Sequence, residues 1–278
     1  MRTRTLAHVS DLHVGKSPQQ DAAVAQLCRT LLQSRVDQVV VTGDLTQSGK
    51  HQQLKSFQRL FAPLLETGRV SLVPGNHDRV GEDAGAQLMH GERVAIQESP
   101  GLFLVLVDST APHNRSALAA HGQLCARVLE QVYLAFASAP DQSLKVLALH
   151  HHLLPLPEES VWEHLASALR LPHAGELALG TQLLQLIRGR CDLVLHGHRH
   201  VPRSLQLTGV EGETLAIYNA GSSAELQRVR IFTHAGGRLT SAPVWLSTQD
   251  HHPPVRITRP LRWALPKIRP AVASAPSR

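Results

Sequence analysis

Leu6-Ala7-His8-Val9-Ser10-Asp11-Leu12-His13 is the stretch that decides the fold: a short apolar run that ends in an acid and an imidazole two residues apart. The same construction recurs four times. Gln38-Val39-Val40-Val41 runs into Gly43-Asp44, Val70-Ser71-Leu72-Val73 into Gly75-Asn76-His77-Asp78, Lys145-Val146-Leu147-Ala148-Leu149 into His150-His151-His152, and Asp192-Leu193-Val194-Leu195 into Gly197-His198-Arg199-His200. Continuous apolar runs of this length read as parallel strands buried on both faces. In open α/β sheets, binding residues gather beyond the carboxyl ends of such strands, so five strand ends are expected to meet at one pocket.

The segments between the runs complete an α/β pattern. Ala22, Ala23, Ala25, Leu27, Leu31 and Leu32 fall at helical spacing within 21–34, and a second helix is expected over 51–65. Residues 92–97 and 102–107 read as a hairpin turned at Pro100-Gly101, which makes the sheet mixed, and 122–136 reads as a further helix. Pro155, Pro157 and Pro172 break the pattern after the histidine triplet, around a helix expected near 158–169. The segment 151–180 is a candidate lid, in which Trp162, His164 and His173 would either select the leaving group or pack the segment onto the body. The runs 203–208, 213–219 and 225–233 resemble consecutive antiparallel strands and are expected to form a second sheet.

Composition narrows the class. A chain of 278 residues with 42% apolar content has enough material for one large globular domain, expected over 1–250, and an aromatic share of 4% argues against a surface for stacking on bases. The net charge of +6 is confined to the C-terminal segment 251–278, which holds six basic residues, no acid and six prolines; the rest balances 22 basic against 22 acidic groups. That segment is either a contact for phosphate backbones and anionic surfaces, or a solvated tail or arm lying on the body. Cys28, Cys125 and Cys191 form no C-x-x-C pair, so neither a disulfide framework nor a zinc-thiolate site is suggested. The ligand-bearing run begins almost at once and no 18-residue apolar stretch exists, so the expected location is the cytoplasm, without a membrane span.

The residue types in the five words define the chemistry. Asp11 and His13, two apart in an extended or sharply turned segment, can reach one ion. Asp44 follows a glycine that admits close backbone approach; it suits a carboxylate shared between two cations, or a helix cap. Asn76 offers an amide oxygen, and His150, His198 and His200 offer imidazoles. Nitrogen and oxygen donors without thiolate fit two divalent transition metals, manganese first and iron or zinc next, better than copper(I) or an iron–sulfur cluster.

Asp11-Leu12-His13, Gly43-Asp44, Gly75-Asn76-His77-Asp78, His150-His151 and Gly197-His198-Arg199-His200 together resemble the ordered signature of the calcineurin-like metallophosphoesterases, over residues 8–200. The resemblance implies a four-layer α/β/β/α sandwich with two stacked mixed β-sheets, a dinuclear metal centre at the strand ends, and hydrolysis of a phosphoester. It implies that Asp11, His13 and His200 bind one metal and Asn76, His150 and His198 the other, with Asp44 bridging them. His77 would contact the substrate phosphate and protonate the leaving alkoxide. Asp78 would either fix the tautomer of His77 or cap the loop. The nucleophile is then expected to be a metal-bound hydroxide, with no serine or cysteine required.

Within the family, Gly43-Asp44-Leu45-Thr46-Gln47, Val107-Asp108-Ser109-Thr110 and His121-Gly122-Gln123-Leu124 look like the class III cyclic nucleotide phosphodiesterases. That branch usually places proline directly after two histidines, and this chain instead reads His150-His151-His152-Leu153-Leu154-Pro155, which leaves open which histidine binds metal; His150, at the strand end, is the expected ligand. The expected activity is hydrolysis of a small phosphodiester, with cyclic nucleotides leading. Phosphomonoesters, nucleotide-sugar-lipid pyrophosphates and nucleic acid are alternatives, as is an inactive scaffold that has lost its ligands.

Overall fold

The computed structural model describes residues 2–154, 177–209, 212–249 and 269–271. The lid helix expected at 158–169, with Trp162, His164 and His173, and most of the segment 251–278 lie outside the described residues.

The chain enters at β1 (Arg4–Val9) and continues through α1 (Pro18–Gln33), β2 (Gln38–Thr42), α2 (His51–Leu65), β3 (Val70–Val73) and the single turn α3 (Asn76–Arg79). The hairpin β4 (Val94–Ser99) and β5 (Leu102–Val107) follows, then β6 (Gly122–Gln123), α4 (Ala126–Ala137), β7 (Leu144–Ala148), β8 (Leu177–Ala178), α5 (Gly180–Ile187) and β9 (Leu193–His196). The remainder is β10 (Arg203–Thr208), β11 (Thr214–Asn219), the turn α6 (Ser223–Leu226), β12 (Arg228–Ala235), β13 (Arg238–Leu239), β14 (Val244–Ser247) and β15 (Arg269–Pro270).

The strands form two large sheets. In the first, β3, β2 and β1 run parallel, and β12 pairs antiparallel with β1 and carries β13 and β14 along its other edge. In the second, β5, β7, β9 and β11 run parallel, flanked by antiparallel β4 and β10. Strand periodicity then assigns the layers, because neighbouring side chains point to opposite faces. In β2, Val39 and Val41 pack with Leu27 and Leu31 of α1 and Phe57 and Phe61 of α2, whereas Val40 packs with Leu104, Val146 and Leu195 of the other sheet. In β5, Phe103 and Val105 pack with Val128 and Val132 of α4 and Leu183 of α5, while Leu104 and Leu106 face inward. The result is a four-layer α/β/β/α sandwich.

Three boundaries differ from the sequence expectation. Helix α1 starts at Pro18 rather than near Asp21, because Ser17 caps it by accepting from the Gln20 amide at 3.1 Å and proline suits the first helical position. Helix α4 starts at Ala126 because Gly122–Gln123 is taken into parallel pairing with Leu177–Ala178. The runs after His200 do not make a sheet of their own: β10 and β11 extend the second sheet, and the turn at Ser223–Leu226 carries the chain across so that β12 covers the open edge of β1 in the first. Of the C-terminal segment, Arg269–Pro270 lies against β4 as an edge strand, with the Arg269 guanidinium 2.8 Å from Glu98. Among the described residues, no helix is long and apolar enough to cross a membrane.

Candidate metal centre

The loops that leave β1 and β2, and those that leave β7 and β9, are joined through their backbones before any side chain is considered. The Asp11 amide donates to the Gly43 carbonyl, the Leu12 and His13 amides to that of Asp44, and the Gly197 amide to that of His150, at 2.9–3.1 Å. Such close approach leaves no room for side chains at the crossing points. A Cβ on Gly43 would lie 2.5 Å from His150 Nδ1 and 2.7 Å from the Gly75 amide, and one on Gly75 would fall on the Asp44 carboxylate. Asp11, His13, Asp44 and His198 themselves sit at φ 52°, 49°, 53° and 73°, in the left-handed region that side chains disfavour. Asp11-x-His13 is therefore sharply turned, and the turn aims both side chains into the pocket while Leu12 is buried beneath.

All seven expected ligands come together. His150 Nδ1 is 2.8 Å from the Thr42 carbonyl, which can only accept, so Nδ1 holds the proton and Nε2 the lone pair. That lone pair faces Asn76 Oδ1 at 3.0 Å and Asp44 Oδ2 at 3.5 Å. His198 Nδ1 completes the group, 3.0 Å from Asn76 Oδ1 and 3.3 Å from His150 Nε2. On the other side of Asp44, His13 Nε2 stands 3.1 Å from His200 Nε2 and 3.8 Å from Asp44 Oδ2, and His200 Nε2 is 3.9 Å from Asp11 Oδ1. Asp11 Oδ2 is buried without a protein partner. Two groups of oxygen and imidazole-nitrogen donors, sharing one carboxylate, fit a pair of divalent cations.

The neutral imidazoles agree with that fit. Burial holds His13 down at about 4 and keeps His198 well below the usual histidine range, and it also lowers His200, so these imidazoles stay neutral, the form that binds metal. Burial, then the neighbouring Asp44, pushes the Asp11 carboxyl well up. Burial also opposes ionisation of Asp44, but His150, His77 and His13 around it outweigh that and draw it down to about 2.

The histidine triplet divides into three environments. His151, although beside His150 and His198, has both ring nitrogens engaged: Nδ1 with the Ser109 hydroxyl at 2.8 Å and Nε2 with the Ala120 carbonyl at 2.9 Å. It braces the site from behind. His152 is buried between His198 and His196, with ring centroids 5.9 and 6.4 Å away.

His77 lies at the pocket edge, its ring edge-on to His13 at 4.7 Å between centroids. Its amide donates to Asp44 Oδ1 at 2.8 Å, and Nδ1 donates to the Gln47 carbonyl at 2.8 Å, which leaves Nε2 for a substrate oxygen. The tautomer of His77 is thus set by Gln47, and the catalytic role considered for Asp78 is corrected. The Asp78 carboxylate is buried and accepts from the amides of Leu45, Thr46 and Gly75 and from the Thr46 hydroxyl, at 2.8–3.1 Å. It fastens the Asp44 loop to the Asn76 turn. Glu225, which carries no motif, stands behind His200 with Oε2 3.8 Å from Nδ1.

Comparison with known proteins agrees with this geometry. The family model described as calcineurin-like phosphoesterase matches residues 4–202. A Psychrobacter arcticus protein named probable cyclic nucleotide phosphodiesterase is 27% identical over 190 residues, 63% of this chain and 61% of that protein, so this chain spans less than two thirds of that relative. A Pseudoalteromonas protein with the same designation is 27% identical over 214 residues, 70% of each chain. The structure of a purple acid phosphatase from yellow lupin seeds superposes with a TM-score of 0.62 at 13% identity, covering 90% of this chain and 52% of that one, a likeness of fold.

Proposed function

This chain belongs to the calcineurin-like phosphoesterase family, and from that premise we propose that it is a metal-dependent phosphodiesterase acting on a small phosphodiester, with cyclic nucleotides as the leading substrate class. The observation that carries the reading is the convergence of Asp11, His13 and His200 on one side of Asp44, and of Asn76, His150 and His198 on the other. We assign those residues as the ligands of two divalent cations, with Asp44 between them. The donor set, all oxygen and imidazole nitrogen, favours manganese, with iron or zinc as alternatives. Bound there, the cations would neutralise the phosphate and activate water for in-line attack.

The protein's own share is positional and protonic. Thr42 and Asn76 orient His150, and the Asp78 clasp holds the Asp44 loop against the Asn76 turn. His77, whose Nδ1 proton is donated to Gln47, directs Nε2 at the phosphoryl group, where its imidazolium form, with a second proton on Nε2, would donate a hydrogen bond and then pass that proton to the leaving alkoxide. The diester preference is supported by the designation of the two relatives and by the sequence likeness to class III phosphodiesterases.

The test is manganese-dependent hydrolysis of bis-p-nitrophenyl phosphate beside p-nitrophenyl phosphate, with Asp44→Ala as the blank. Preference for the diester, lost in the variant, is expected. Preference for the monoester would move the assignment to a phosphatase, and wild-type protein that holds no transition metal would return it to a scaffold.

A further inference from the structure

Gly221-Ser222-Ser223-Ala224-Glu225 contains none of the expected ligands, yet it grips both loops that carry Asp11, His13 and His200. Ser223 donates its amide to the Ser10 carbonyl and accepts the Ser10 amide on Oγ, both at 3.0 Å. Ser222 donates its hydroxyl to the Asp11 carbonyl at 2.9 Å and its amide to the His200 carbonyl at 3.2 Å. One residue pair therefore sets the relative position of two loops some 190 residues apart in the chain.

Glu225 adds a charge to this grip. Its Oε1 meets the Lys16 ammonium at 2.6 Å, and its Oε2 stands 3.8 Å from His200 Nδ1. Since His200 Nε2 faces His13 and Asp11, Nδ1 is the outward nitrogen. At 3.8 Å the carboxylate acts through its charge and not a direct hydrogen bond: it favours the proton on Nδ1, which turns the Nε2 lone pair inward and strengthens that nitrogen as a donor. Lys16, from the loop that also holds Asp11 and His13, draws on the same carboxylate and moderates the effect. The Asn76, His150 and His198 group has a different support: the outward nitrogen of His150 rests on the neutral carbonyl of Thr42.

We infer that Glu225 is a positioning residue for the Asp11, His13 and His200 group, and that through it the two ion-binding groups of this chain differ in strength. The inference rests on the two-ion reading above. Side chains supporting metal-binding histidines commonly change affinity by about 10–100-fold. His200 and Glu225 are 43% and 37% exposed, so solvent screening places the effect at the low end, about tenfold.

The experiment is calorimetric titration of chelator-stripped full-length protein with Mn²⁺, for wild type, Glu225→Gln and Lys16→Met, with thermal melts of the stripped proteins alongside. Two ions are expected to bind wild type. Glu225→Gln should weaken one of them about tenfold and leave the other, with the stripped melting temperature unchanged, while Lys16→Met should tighten that same ion by about two- to threefold. Wild-type binding of both ions by Glu225→Gln, equal weakening of both, or a lowered melt that accounts for the loss would overturn the inference while the two-ion reading stands. Failure of wild type to bind two ions would overturn that reading, and the inference with it.

Discussion

Replacing Asp78 by asparagine separates a structural role from a chemical one. The carboxylate accepts from three backbone amides, those of Leu45 and Gly75 on Oδ2 and that of Thr46 on Oδ1, and from the Thr46 hydroxyl. Asparagine keeps the shape and one acceptor oxygen but presents an NH₂ to at least one group that must donate. One to two buried amides are then stranded, at about 1–3 kcal/mol each. A partial offset comes from the lost charge, because burial and the neighbouring Asp44 already push the Asp78 carboxyl toward its neutral form. The expected net loss is about 3 kcal/mol, equivalent to a melting temperature lower by about 6–12 °C for a chain of this size. Circular-dichroism melts of chelated protein measure it. Hydrolysis should weaken as the Asp44 loop loosens, but the pH profile of the surviving activity should not move, because His77 Nδ1 is held by Gln47. A wild-type melt together with a shifted pH profile would refute the reasoning and return Asp78 to the chemistry.

Asp44→Asn should abolish hydrolysis and lower the melting temperature of metal-stripped protein at neutral pH, since the groups around Asp44 hold it at about 2, so its ionised form stabilises the fold above the unfolded value and asparagine cannot supply that charge; a stripped variant that melts at or above wild type would contradict this. Ser109→Ala should cost about 2 kcal/mol by stranding both the Nδ1 and the backbone amide of His151 while leaving the Mn²⁺ stoichiometry unchanged, so loss of an ion would show His151 to be a ligand. Burial holds His8 well below the usual histidine range, His196 at about 4 and His152 at about 3. Unfolded histidine takes up its proton near pH 6.5 while these refuse it, so their contribution is complete above that pH and is lost as pH falls toward the folded values. Each reduces the folding constant up to about tenfold per pH unit in that window. Urea midpoints of stripped protein measured from pH 7 to 5 should fall, and a flat series would exclude the effect.

What could be read from the sequence were the strand ends. A strand buried on both faces must be apolar throughout, so the change at Val9, Val41, Val73, Leu149 and Leu195 to Asp, Asn and His marks where the chain leaves the core for the pocket. Sheet membership was not legible for β12, because period-two alternation signals a strand and says nothing of its neighbours; the crossing depends on the Ser222-Ser223 grip on Ser10 and Asp11. The supports of His150 and His77 are the carbonyls of Thr42 and Gln47, and a carbonyl leaves no mark in residue identity. Asp78 misled for the opposite reason: next to His77 in sequence, it turns away to the amides of another loop. Glu225 has no motif at all, and its partners Lys16 and His200 are 209 and 25 residues distant.

The features that resist reading share a physical cause. Left-handed backbone at Asp11, His13, Asp44 and His198 costs of order 1 kcal/mol or more at each residue. To this are added two neighbouring buried acids, Asp11 and Asp44. Stripped of cations, the pocket is therefore a source of instability, and the fold holds it in shape by backbone bonds between loops, the Asp78 clasp and the Ser222-Ser223 grip, none of which requires a metal. A cation held by these residues would offset the charge of the buried acids and meet loops already tied in place, so ions should bind a preformed site and stabilise the native state by linkage, about 2.7 kcal/mol at a concentration one hundred times the dissociation constant. Preformed ligands and a strained, repulsive pocket are two consequences of one arrangement, in which the sandwich supplies the energy that keeps seven donors pointing inward.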